Sequence, residues 1–206
     1  MDWEGPGAEA QSPGAEARSE TGRVEAFSDG VLAVIITIMA LELRAPLGDH
    51  FADLRARLPA LLVYILSFVL IGIYWNNHHH LLRAARRVTG AVMWANLHLL
   101  FWLSLFPVLT EWIGEHYSHT APAATYGVVG LGAATAYTIL TLAIIRADGR
   151  ASPVAAAIGR DVKGRASLVA YVAATGLAFV SPWISYALFA GVAVLWFVPD
   201  RRLSRR

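Results

Sequence analysis

The sequence predicts an all-α membrane protein, with six transmembrane helices and both the N- and C-termini cytoplasmic. Three observations carry this reading. The 206 residues are 56% hydrophobic and 16% charged, whereas an ordinary soluble domain is about 25% charged. The apolar residues fall into long runs that charges barely interrupt, close to the roughly 20 residues a spanning helix needs. The basic residues, finally, collect at alternate ends of those runs. Cysteine is absent, which excludes disulfides, thiolate metal sites and cysteine catalysis.

Residues 1–20 are rich in Gly, Ala, Pro, Ser and Glu and lack an apolar face. They are expected to form a disordered tail and do not resemble a secretory signal, since no short apolar core follows a basic start. Residues 21–200 form the predicted six-helix unit. The first span runs from about Val24 to Leu43, the second from Leu58 to Leu82 and the third from Ala91 to Ile113. The fourth covers Ala121 to Ile145, the fifth Ala166 to Val180 and the sixth Trp183 to Val198. The last two are short and are separated by Ser181-Pro182, but together they exceed what a single crossing needs. Residues 201–206 are a basic cytoplasmic tail.

Cytoplasmic loops collect Lys and Arg, which tests the count. With the N-terminus inside, the inner side holds Arg18, Arg23, the Arg83–Arg87 cluster, the loop from Arg146 to Arg165, and the four C-terminal arginines, in all 14 of 17 basic residues. Only Arg44, Arg55 and Arg57 fall outside. Juxtamembrane arginine of this kind is a membrane feature, and no nucleic-acid partner is expected.

Polar side chains at membrane depth are costly and so face protein or water. The first span carries Glu25, Ser28 and Asp29 near its inner end and Glu42 near its outer end. The second ends with Trp75, Asn76, Asn77 and the His78–His80 run; the third begins with Trp94, Asn96 and His98. In the predicted topology these groups share one depth. A structural polar network of Arg23, Ser28, Asp29, His78, His79 and Asn96 joining three helices is therefore expected. Successive helical residues point about 100° apart, so three adjacent histidines do not converge on one ion, and no metal is expected. No nucleophile–base–acid set and no glycine-rich phosphate loop occurs, so an enzyme is not expected.

Val34, Ile38 and Leu41 follow an i, i+4, i+7 pattern in the first span, with Val31 and Thr37 near the same face. Lipid-facing or core packing gives the same spacing. Beside the polar entrance of Arg23, Ser28 and Asp29, it also suits a pore with a hydrophobic constriction.

The stretch R-V-E-A-F-S-D-G at 23–30, opening the apolar run V-L-A-V-I-I-T-I-M-A-L, resembles the first-helix signature of the transmembrane protein 175 family of potassium channels. I-Y-W-N-N-H-H-H at 73–80 resembles that family's second helix, and N-L-H-L-L-F-W-L-S-L-F-P-V-L-T at 96–110 its third. The resemblance covers residues 23–117; the later spans agree in number and character. It implies passive K⁺ conduction without a cofactor and without the carbonyl filter of other potassium channels. It further implies a homotetramer of six-helix units in a prokaryotic cell (plasma) membrane, spanning the lipid bilayer. The first helix would line the pore, with Val34 at the constriction position, Ile38 and Leu41 as further layers and Thr37 as the pore hydroxyl. The family usually has Ile or Leu at the first of these positions. Val34 is smaller, so closure would rest more on Ile38 or Leu41.

Two other classes fit the residues. A proton- or ion-coupled secondary transporter would use Asp29 and the His78–His80 cluster, but such proteins usually show two related halves, and no counterpart of Phe-Ser-Asp occurs near Thr138 or Ser167. A non-conducting membrane scaffold would engage a soluble partner through the basic tails.

Overall fold

The computed structural model describes residues 13–158 and 161–197; Arg160 and the basic tail at 201–206 lie outside them. All regular structure among the described residues is helical. The elements are α1 (Pro13–Leu41), α2 (Phe51–Ala84), α3 (Gly90–Leu103), α4 (Phe106–Glu115), α5 (Thr120–Asp148), α6 (Pro153–Ile158), α7 (Val162–Leu177) and α8 (Pro182–Phe197).

Among the described residues, four stretches are long and apolar enough to cross a membrane: Glu20–Leu41, Phe51–Ala84, Gly90–Glu115 and Thr120–Asp148. The 34 residues of α2 reach about 51 Å at 1.5 Å per residue, well beyond a 30 Å hydrocarbon core. The 16 residues each of α7 and α8 reach about 24 Å. These last two are separate helices packed on each other, joined by a turn at 178–181 and restarted at Pro182, whose fixed φ suits a first helical position.

Three boundaries differ from expectation. α1 begins at Pro13, inside the segment expected to be disordered, because proline at a helix start loses no bond and Ala15, Glu16, Ala17 and Arg18 are strong helix formers. α2 begins at Phe51 and runs through Arg55 and Arg57, which read as loop in the sequence, before continuing through Pro59. Its start is held by Asp53, whose carboxylate accepts the His50 backbone N–H at 3.1 Å. The third span divides into α3 and α4 at Ser104-Leu105. Pro107 has no N–H to donate to Leu103, and its ring disfavours a continuous helix there. Ser104 turns its hydroxyl onto the Phe101 carbonyl at 2.8 Å instead.

The core runs the length of the bundle. α5 packs between α3 and α7, and α2 lies against α1, α4 and α8. Glycines permit the closest approach. At Gly130 an added Cβ would enter the Tyr171 ring on α7, and at Gly132 the Trp102 ring on α3. Small side chains of this kind let membrane helices approach closely and gain van der Waals contact. A buried hydroxyl chain ties the middle together: Thr110 Oγ1 donates to Ser67 Oγ at 2.7 Å, and Ser67 Oγ lies 2.9 Å from Tyr126 Oη. It links α4, α2 and α5.

Candidate functional site

α1 has two faces. Ser28, Leu32, Ile35 and Met39 are buried against the bundle. The opposite face carries Phe27, Gly30, Val34, Thr37, Ile38 and Leu41, all exposed on the single chain. Val34 is 55% exposed, Ile38 40% and Leu41 83%, so the chain's own body leaves this face uncovered. Thr37 Oγ1 donates to the Val34 carbonyl at 2.9 Å, which commits the hydroxyl proton to the helix and leaves the oxygen lone pairs outward.

Around residues 25–29 of α1, two polar clusters form. Ser28, fully buried, donates to the Val24 carbonyl at 2.8 Å and accepts from Asn96 Nδ2 at 2.9 Å. Asn96 Oδ1 lies 2.7 Å from His78 Nε2. This chain joins α1, α3 and α2. Each member is at most 2% exposed, so each depends on protein partners for its hydrogen bonds.

The second cluster lies beside it on α1 and α2. Trp75 Nε1 donates to Asp29 Oδ1 at 2.9 Å. His79 Nδ1 lies 2.7 Å from Glu25 Oε1, and Arg83 Nε is 3.6 Å from the same oxygen. The Trp75 and His79 rings stack with centroids 5.9 Å apart.

The expected network thus divides. Ser28, His78 and Asn96 are joined directly. Asp29 and His79 belong to the second group, and the partner of Asp29 is Trp75. Arg23 is exposed, and no ion pair joins it to Asp29 among the described residues. His98 stays within α3, where it accepts from Trp102 Nε1 at 3.0 Å. Sequence reasoning missed the role of Glu25, although its i, i+4 spacing from Asp29 puts both carboxylates on one helix face. It also missed the clamp just past the C-terminal end of α1, in which Arg44 reaches Glu111 at 3.0 Å and Glu115 at 3.2 Å on α4. The i, i+4 pair of acids was the available signal.

The sequence profile described as "Endosomal/lysosomal potassium channel TMEM175" matches residues 23–107. A protein from a Chryseobacterium species, named as a potassium channel, is 50% identical over 184 residues, covering 89% of this chain and 96% of the relative. The chain belongs to the TMEM175 family. A Streptomyces collinus relative, also named as a potassium channel, is 34% identical over 87% of this chain and 92% of its own length. The crystal structure of a lysosomal potassium-selective channel TMEM175 homologue from Chamaesiphon minutus superposes with a TM-score of 0.76 at 28% identity. That match covers 87% of this chain and 97% of the homologue. Membership makes the chain an α-helical membrane protein of a channel family, not an enzyme. The profile match ends inside α4 at residue 107, while the match to the homologue's fold extends over most of the chain.

Proposed function

We propose that the chain is a K⁺-permeable channel of the cell membrane. Four copies surround an axis lined by α1, six spans cross the bilayer in each copy, and both termini lie in the cytoplasm. The observation that carries this is the pair of faces on α1. One face is held by the bundle. The other is an apolar stripe with one hydroxyl level, left open for symmetry-related copies. The names of the Chryseobacterium and Streptomyces relatives and the match to the Chamaesiphon homologue support it.

In this assembly Val34, Ile38 and Leu41 form successive apolar rings, one side chain from each subunit. A narrow apolar ring resists wetting and closes the pore without a charged plug. Thr37 supplies the oxygen level between them. Six spans place α7 and α8 as a short final hairpin, and the 14-to-3 basic asymmetry sets the orientation. Conduction is passive and requires no cofactor.

The test is flux from purified protein in liposomes. K⁺ efflux that grows with the gradient and does not require a counter-ion supports the channel. Saturable flux coupled to protons points to the transporter, and no flux points to the scaffold.

A further inference from the structure

We propose that Glu25, Asp29 and His79 form a binding site for a divalent transition-metal ion that ties α1 to α2. One ligand atom from each of the three lies within 4.8 Å of the others. Glu25 and Asp29 stand one turn apart on α1, so their carboxylates share a face, and His79 reaches that face from α2. One imidazole nitrogen and two carboxylates suit Zn²⁺ and its neighbours, and the two negative charges match the ion's charge.

His79 Nδ1 is closed to solvent and faces Glu25 Oε1 at 2.7 Å. Without an ion the imidazole and the carboxylate pair directly. An ion at about 2.0–2.1 Å from each, at a tetrahedral angle, holds such a pair about 3.3 Å apart. A small rotation of either side chain reaches that distance.

The surroundings fix the donors. Trp75 holds Asp29 by Oδ1 and stacks on the His79 ring, orienting two of the three ligands as outer-shell partners do. The side chains of His79 and Glu25 are 24% and 18% exposed, open enough for an ion to enter from water. Arg83, at 3.6 Å from Glu25, is the competing cation and swings away when the ion binds. The histidine run itself does not chelate: His78 is committed to Asn96, and the His80 ring stands edge-on to His79. The site is made by one histidine with the neighbouring helix. Bound metal would fasten the proposed pore helix to α2; that consequence rests on the channel reading, whereas the binding does not.

The experiment uses the full-length oligomer in detergent, titrated with Co²⁺ and then displaced with Zn²⁺. Glu25→Gln, His79→Gln and, as a control, His80→Gln are compared with the parent. All are first matched for elution volume and metal-free unfolding temperature. The expected result is visible Co²⁺ absorption at one ion per subunit, reversed by Zn²⁺, and an unfolding temperature that rises with Zn²⁺. Glu25→Gln and His79→Gln, each losing a direct ligand, lower affinity by more than the roughly 10–100-fold typical of outer-shell changes, while His80→Gln matches the parent. Equal binding by the parent, Glu25→Gln and His79→Gln, or no Co²⁺ absorption in the parent, overturns the proposal. If His79→Gln alone fails to fold, Glu25→Gln decides it, because glutamine keeps the shape and removes the charge.

Discussion

Asn96 donates its amide hydrogen to Ser28 at 2.9 Å, and this one bond connects α3 to the buried face of α1. The other end of the same amide engages His78, so a single side chain satisfies groups on two neighbouring helices. Replacing Asn96 by leucine strands His78 Nε2 and leaves Ser28 with only its bond to the Val24 carbonyl. Each unsatisfied buried group costs about 1–3 kcal/mol, so Asn96→Leu should lower the unfolding temperature and loosen the oligomer. Thermal unfolding followed by size-exclusion in detergent measures both. An unchanged profile would remove the bond from any structural role.

The α1 stripe gives a prediction about conduction. Ile38→Asn or Leu41→Asn should hydrate an apolar ring and raise leak while weakening discrimination between K⁺ and Na⁺. Val34→Asn should do so less, because valine occludes less. Thr37→Ala should shift selectivity with little change in leak. Liposome flux on the four variants, with oligomeric state checked in parallel, reads this directly. If all four conduct like the parent, α1 does not line the pore.

Orientation is open to labelling because the chain has no cysteine of its own. Single cysteines at positions 1, 86, 160 and 206 should react with a membrane-impermeant reagent only after permeabilisation. External reaction at position 160 would rule out six spans with cytoplasmic ends.

Gly130 tests the packing of α5 on α7. An added methyl group meets the Tyr171 ring, and Tyr171 is itself buried. Overpacking of this kind costs about 1–3 kcal/mol. Gly130→Ala should therefore unfold at lower temperature, whereas Gly191→Ala, where a Cβ meets nothing within 4 Å, should not.

Glu42, just past the end of α1, has its carboxyl held above the ordinary carboxylate range, first by burial and then by the charge of Glu111. The folded state holds this proton more tightly than the unfolded chain does. Its contribution to stability is therefore full below the ordinary value of 4.5 and is lost as pH rises through the raised one. Glu42→Gln should stabilise the protein near neutral pH and make little difference near pH 4. Unfolding temperatures across that range decide it; a pH-independent gap would mean the carboxylate is not the cause.

Long apolar runs made α1, α2 and α5 legible, since no other arrangement hides so many consecutive apolar residues from water. The break at Ser104-Leu105 was hidden because Pro107 sits inside an apolar run that is long enough to span without it. The start of α2 ahead of Leu58 was hidden because Arg55 and Arg57 have the charge of a loop. In the site, Ser28, His78 and Asn96 stood out as polar groups at one predicted depth. The partner of Asp29 did not, because a tryptophan reads as apolar bulk until its ring nitrogen is located in space. Helix ends and pairings depend on contacts between distant residues, which hydropathy along the chain does not encode.

The bond from Thr37 to the Val34 carbonyl has a consequence for anions. Its hydrogen is turned back into α1, so in the proposed tetramer the hydroxyl level would present only the negative end of its dipole to the axis. Chloride would meet no donor there and none in the apolar rings on either side. A cation would find four oxygens, one from each subunit. A pore built this way would sort charge with no charged side chain in the stripe, by the direction in which one proton points.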